Sequence, residues 1–83
     1  MPKLKSLAGR DVVRILGLFG FVVVAQKGSH IKLVRTVDND MRQTLTLPNH
    51  PDLDKGTLKA IYRQASRYIL KDQLSSHFYT KEK

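Results

Sequence analysis

Residues 27–30 read Lys-Gly-Ser-His and stand between two β-branched, apolar runs, FVVVAQ and IKLVR. A two-residue link with glycine in first place is the signature of a type II′ hairpin turn, because glycine enters the required φ > 0 region without steric cost. So short a link also fixes the strand register. Lys27 pairs with His30, Gln26 with Ile31, Ala25 with Lys32, and Val24 with Leu33. Side chains alternate along a strand, so Val22, Val24, Ile31 and Leu33 share one face, which must be the core face. Lys27, His30, Lys32 and Ala25 fall on the other, and His30 is predicted to be accessible to solvent.

The flanking segments build one small domain around this hairpin. From about residue 8 to residue 18, Val12, Val13, Leu16 and the following Phe19 recur at helical spacing. Gly20 suits the left-handed residue that ends such a helix. Gly17 lies inside it and weakens it by up to about 1 kcal/mol relative to Ala. TVDND is polar and reads as a second hairpin loop. RQTLTL then alternates, with Leu45 and Leu47 inward and Thr44 and Thr46 outward, until Pro48 stops the strand. Asp54 is placed to cap a second helix, with Leu53 and Leu58 as a hydrophobic staple. Leu58, Ile61, Tyr62 and Ala65 form its buried stripe, and Lys59 and Arg63 a basic row on its exposed side. The remainder predicts a short extended piece, then a last helix packed through Leu70, Leu74 and Phe78, with the final four residues frayed. The sum is an α+β sandwich: a three-stranded antiparallel sheet with helices on one face, plus a C-terminal helical extension. It is a single domain over residues 1–83, with a core of about 7–66 and an extension over 67–83. The second sheet face stays bare, and it carries His30.

Composition narrows the chemistry. The 83 residues include 15 Lys and Arg against 7 Asp and Glu, a net charge of +8, and no cysteine. Disulfides, thiol nucleophiles and thiolate zinc sites are therefore excluded, and a reducing cytoplasm fits. No stretch approaches the roughly 18 apolar residues of a membrane span. The opening residues faintly resemble a signal peptide, but Arg10, Asp11 and Arg14 break the apolar run, so an amphipathic helix and no membrane role are expected. A balance this basic makes nucleic acid the leading partner class, ahead of an acidic protein partner or a merely soluble basic surface. Two-metal hydrolysis needs several carboxylates around ions about 3.5–4 Å apart. Here the acids are scattered, Asp38 and Asp40 share a loop without a third, and the three histidines lack a short paired spacing. No metal and no small-molecule cofactor is expected.

Ser29 adjoins His30, but adjacent residues in a turn point apart, so no Ser–His nucleophile is implied. A small polar residue simply fits after Gly28. An unperturbed imidazole titrates at about 6.5, which lets His30 take or give a proton at cellular pH. Cleavage of an RNA strand needs a base for the 2′-hydroxyl, an acid for the leaving 5′-oxygen and positive charge on the phosphorane. Lys27 and Lys32, on the same face, can supply the charge. The bland alternative is an ordinary surface histidine, and a motif this short does not separate the two. Lys59 and Arg63 either extend a basic track or solvate the outer helix face. The start of their helix, DKGTL, has unpaired N–H groups suited to an anion. His50 is a second acid–base group or a loop residue, His77 is structural or exposed, and Tyr62, Tyr68 and Phe78 pack.

GFVVVAQKGSHIKL, a strand ending in LPNHP, and KGTLKAIYRQA together resemble the HicA family of toxin mRNA interferases, from about Leu7 to Ala65. Gly20-Phe21, Lys27-Gly28-Ser29-His30, Pro48 with His50, and Gly56-Thr57-Leu58 appear in that family's order and spacing. The resemblance implies a fold like the double-stranded RNA-binding domain, with an α-β-β-β-α core. It implies metal-independent, ribosome-independent cleavage of mRNA, with His30 as the catalytic residue. Lys27, Gly28, Ser29 and Lys32 would bind RNA around it, Lys59 and Arg63 would extend the track, and a HicB-type antitoxin would cover the His30 face. The chain departs from the family at Ala8, where a Ser or Thr cap is more usual, and in its longer tail. The alternative is a non-catalytic module that binds double-stranded RNA by shape, to which His30 is dispensable.

Overall fold

The computed structural model describes residues 2–80. The elements are α1 (Gly9–Leu18), β1 (Val22–Lys27), β2 (His30–Val37), a 3₁₀ turn (Asp38–Asp40), β3 (Met41–Pro48), α2 (Lys55–Ala65) and α3 (Lys71–Phe78). The strands form one antiparallel sheet in the order β1-β2-β3. Val12, Ile15 and Leu16 of α1, Leu58 and Ile61 of α2, and Leu74 and Phe78 of α3 share one core with Ile31, Leu33, Leu45 and Leu47 of the sheet. All three helices thus cover the same sheet face, as the pattern of apolar residues predicts. Ile15 is buried as well and completes the i, i+3, i+4 stripe with Val12 and Leu16.

Helix starts follow from local chemistry. Ala8 has no side-chain oxygen to offer α1, but its N–H donates to Asp11 Oδ2 at 2.8 Å, which supplies half of a capping box. Asp54 caps α2 fully: the Thr57 N–H donates to Asp54 Oδ1 at 2.7 Å. That bond holds the Asp54 carboxyl below its ordinary value. Leu53 and Leu58 are both buried beside it, as the staple requires.

The first hairpin departs from expectation in one strand. Lys27↔His30, Gln26↔Ile31 and Ala25↔Lys32 pair as the turn dictates, but the register then slips to Val23↔Leu33 and Val22↔Val34. Val24 is the extra residue of a β-bulge. One inserted residue reverses the alternation beyond it and leaves an edge strand more strongly twisted. Val22 and Val24, expected in the core, are instead 60% and 49% exposed, and every residue of β1 is exposed. The core is therefore built by β2 and β3, whose pairing is unbroken from His30↔Pro48 to Val37↔Met41. The second hairpin is also tighter than TVDND suggested, since Thr36 and Val37 belong to β2 and Asp40 takes the left-handed position at φ 60°.

Arg35 lies on the helix side of β2, in step with Ile31 and Leu33. Its guanidinium donates to Gln43 Oε1 at 2.8 Å and to the carbonyls of Phe19 and Tyr68, each at 2.9 Å, and sits 4.8 Å from the Phe21 ring centroid. One side chain thus ties together the end of α1, the segment after α2, and the sheet.

The extension is part of the core. Ile69, Leu74 and Phe78 are buried, whereas Leu70, expected inward, stands at the N-terminal flank of α3 and is 70% exposed. Thr80, expected to fray, is held: its N–H donates to the Lys3 carbonyl at 2.7 Å, and the Lys3 N–H donates to Thr80 Oγ1 at 3.0 Å. Leu4 bridges Tyr79 as a strand would, and the Lys5 N–H reaches the Phe78 carbonyl. The rest of the expected fray, 81–83, lies outside the described residues.

Phe78→Ala should cost about 3–5 kcal/mol, as for any buried aromatic truncated to Ala, and urea unfolding measures it. A loss under about 1 kcal/mol would make the extension an appendage. Gly17→Ala should gain up to about 1 kcal/mol, because a Cβ there meets nothing within 4 Å.

Candidate functional site

The turn that carries His30 is built from backbone outward. Gly28 takes φ 60°, the left-handed value that its place in the turn demands. Lys27 and His30 then face each other across the hairpin, at the roughly 4.5–5.5 Å Cβ separation of directly opposed residues. On its other side His30 pairs with Pro48 of β3, and beyond that pair the Asn49 N–H donates to the Ser29 carbonyl. The turn is therefore gripped from both flanks, by β1 and by the chain leaving β3.

That chain in turn receives α1. The Gly9 N–H donates to the His50 carbonyl at 2.8 Å. A Cβ built on Gly9 would lie 2.8 Å from the Pro48 oxygen and 2.9 Å from Asn49 Cα, both backbone atoms. Gly9 thus permits a contact that no other residue could make without a shift. The hydrogen-bond path from α1 through 48–50 to the Gly28-Ser29 turn was not legible beforehand. Gly9 is an ordinary residue at a helix start in sequence terms, and only the approach of another backbone reveals its role.

His30 is exposed, as predicted, and so are Lys27, Gly28, Ser29 and Lys32. By the observed register, the open face carries Lys27, His30, Lys32, Thr44 and Thr46 around the buried Val34, with Val22 beside it. Arg42, opposite Thr36, adds a cation to this face that the sequence reading did not single out. Lys32 lies two residues along β2 from His30, about 7 Å away. The site is therefore a shallow, solvated strip with one imidazole between two ammonium groups.

Lys59 and Arg63 are exposed on α2, within the helix layer on the opposite side of the sheet. The structure does not bring them to His30. Lys59 lines a separate groove with Lys3, Lys55 and Tyr79. His50 is exposed in its loop, and His77 packs edge-on against Phe19 with ring centroids 5.6 Å apart. Tyr62, Tyr68 and Phe78 all pack against other aromatic rings, as expected. Among the described residues no three His, Cys, Asp or Glu side chains converge as a metal site would require, and no helix is long and apolar enough to cross a membrane.

Gly9→Ala should destabilise the domain by about 1–3 kcal/mol, the usual cost of overpacking. Because the displaced backbone is the one that grips the turn, amide exchange at Asn49 should rise more than exchange in α2. Uniform change across the domain would show that the path from α1 to the turn is not coupled.

Residues 9–66 match the family model described as the HicA toxin of bacterial toxin-antitoxin systems. No curated protein and no solved structure matches the chain.

Proposed function

Because the chain belongs to the HicA family and is a toxin of a toxin–antitoxin system, we propose that it is an endoribonuclease that cleaves mRNA in the cytoplasm without a metal, with His30 as general acid/base. The observation that carries this reading is the placement of His30 directly opposite Lys27, with Lys32 on the same uncovered sheet face. An imidazole and two cations on a solvated strip match what in-line transesterification of an RNA phosphate requires.

In that reaction the neutral imidazole of His30 accepts the proton of the 2′-hydroxyl. The 2′-oxygen attacks the adjacent phosphorus, and the bond from phosphorus to the 5′-oxygen breaks. Lys27 and Lys32 hold the phosphate and offset the negative charge that grows on its oxygens. The 5′-oxygen leaves as an alcohol, protonated from the imidazolium or from water, and the other product ends in a 2′,3′-cyclic phosphate. Gly28 and Ser29 contribute backbone: with no bulk beside the imidazole, an RNA strand can lie close along the turn. A HicB-type antitoxin would silence the enzyme by covering the His30 face, and an acidic surface on it would complement the chain's net charge of +8.

His30→Ala should abolish growth arrest and lower RNA cleavage by at least 10²-fold, the lower end of what a general acid or base contributes. The imidazole is exposed, so the thermal midpoint should stay nearly unchanged. Undiminished cleavage by this variant would instead make His30 a surface residue and favour a binding module.

A further inference from the structure

Outside the matched residues 9–66, the N-terminal segment and the C-terminal extension build a feature that the His30 site does not use. Residues 3–5 and 78–80 are zipped by backbone hydrogen bonds, with Leu4 and Tyr79 as a bridged pair. This lays Lys3 and Tyr79 beside the first turns of α2. The result is a groove of about 440 Å³ lined by Pro2, Lys3, Leu4, Lys55, Lys59 and Tyr79. Three of the six lining residues are lysines and none is acidic. The nearest carboxylate in sequence, Asp54, is occupied in capping Thr57. Lys55 and Lys59 are one helical turn apart on the same side of α2, an arrangement of like charges that destabilises a helix unless a counter-charge is supplied.

We propose that this groove is a second anion site, holding backbone phosphates of the RNA substrate at a distance from the scissile bond. The proposal rests on the chain acting on RNA. Lysines act as point charges toward phosphate and read no sequence, and the phenol of Tyr79 can donate to a phosphate or sugar oxygen. Lys55 and Lys59, offset by about 6 Å along the helix axis, can each meet a separate phosphate. Three lysines and one hydroxyl suit the regularly repeated charges of a sugar–phosphate backbone, which offers each lysine its own phosphate. Lys59 thus belongs to a groove on the helix layer that α2 forms with the N-terminal segment and Tyr79 of the extension. The tail that lengthens this chain would then serve substrate binding as well as the core.

The test uses the full chain in a His30→Ala background, so that binding is read without cleavage. Lys3→Ala, Lys55→Ala and Lys59→Ala are combined, and affinity for short labelled single-stranded RNA is measured across a salt series. The variant should fold normally, because Lys3 joins the tail through its backbone N–H and carbonyl. Losing three phosphate contacts should lower the slope of log K against log salt by about 2, at roughly 0.7 per contact, and weaken binding at low salt by at least tenfold. Unchanged affinity and slope would overturn the proposal. So would a variant that binds RNA normally but loses affinity for the antitoxin, since the groove would then be a protein contact. Failure of the ribonuclease reading would appear separately, as absence of cleavage by the wild-type chain.

Discussion

The position of every group proposed to do chemistry depends on the unbroken ladder between β2 and β3. β1 slips by a residue at its bulge and contributes nothing buried, so it cannot anchor the hairpin by packing. β2 can, because Ile31 and Leu33 on one face and their partners Leu47 and Leu45 on β3 are all buried against the helices. Period-2 alternation then leaves His30 and Lys32 no choice but the opposite face. Burial of Ile31 and Leu33 on one side fixes exposure of His30 and Lys32 on the other, although Val34, farther along the same open face, is buried. A one-residue slip in this ladder would bury the imidazole and expose the leucines.

The same division separates stability from function. The helix layer holds the core, the aromatic contacts and the Arg35 guanidinium that joins three segments, while the open face carries solvated cations and threonines. A chain of 83 residues has little surface to spare for a core. Drawing the tail back through Ile69, Leu74 and Phe78 adds to that core without covering the open face. The extension outside the family-matched residues therefore has a physical reason independent of any partner.

Much of this was legible in the sequence wherever a rule acts over a few residues. The Gly28-Ser29 turn, the alternation of Leu45 and Leu47, the Asp54 cap and the Leu53–Leu58 staple all stand where local chemistry puts them. The failures share a different cause. A run of three valines, 22–24, satisfies either register, and nothing in it marks which residue bulges. Leu70 and Ile69 compete for one inward position, and the choice turns on where α3 starts. Gly9, Arg35 and the pairing of residues 3–5 with 78–80 depend on approaches between distant segments. For the site, exposure of His30 beside Lys27 followed from turn geometry alone, and the separation of Lys59 and Arg63 from it was implicit in placing the helices on the sheet face opposite His30, although one continuous basic track was expected.

The chemistry of the RNA ends tests the central claim most directly. Fragments generated by the purified chain in the presence of excess chelator should carry 5′-hydroxyl and 2′,3′-cyclic phosphate termini, and RNA with a 2′-deoxy sugar at the scissile position should resist. Fragments with 5′-phosphate ends, or cleavage that stops when divalent metal is removed, would contradict a mechanism in which His30 activates the 2′-hydroxyl.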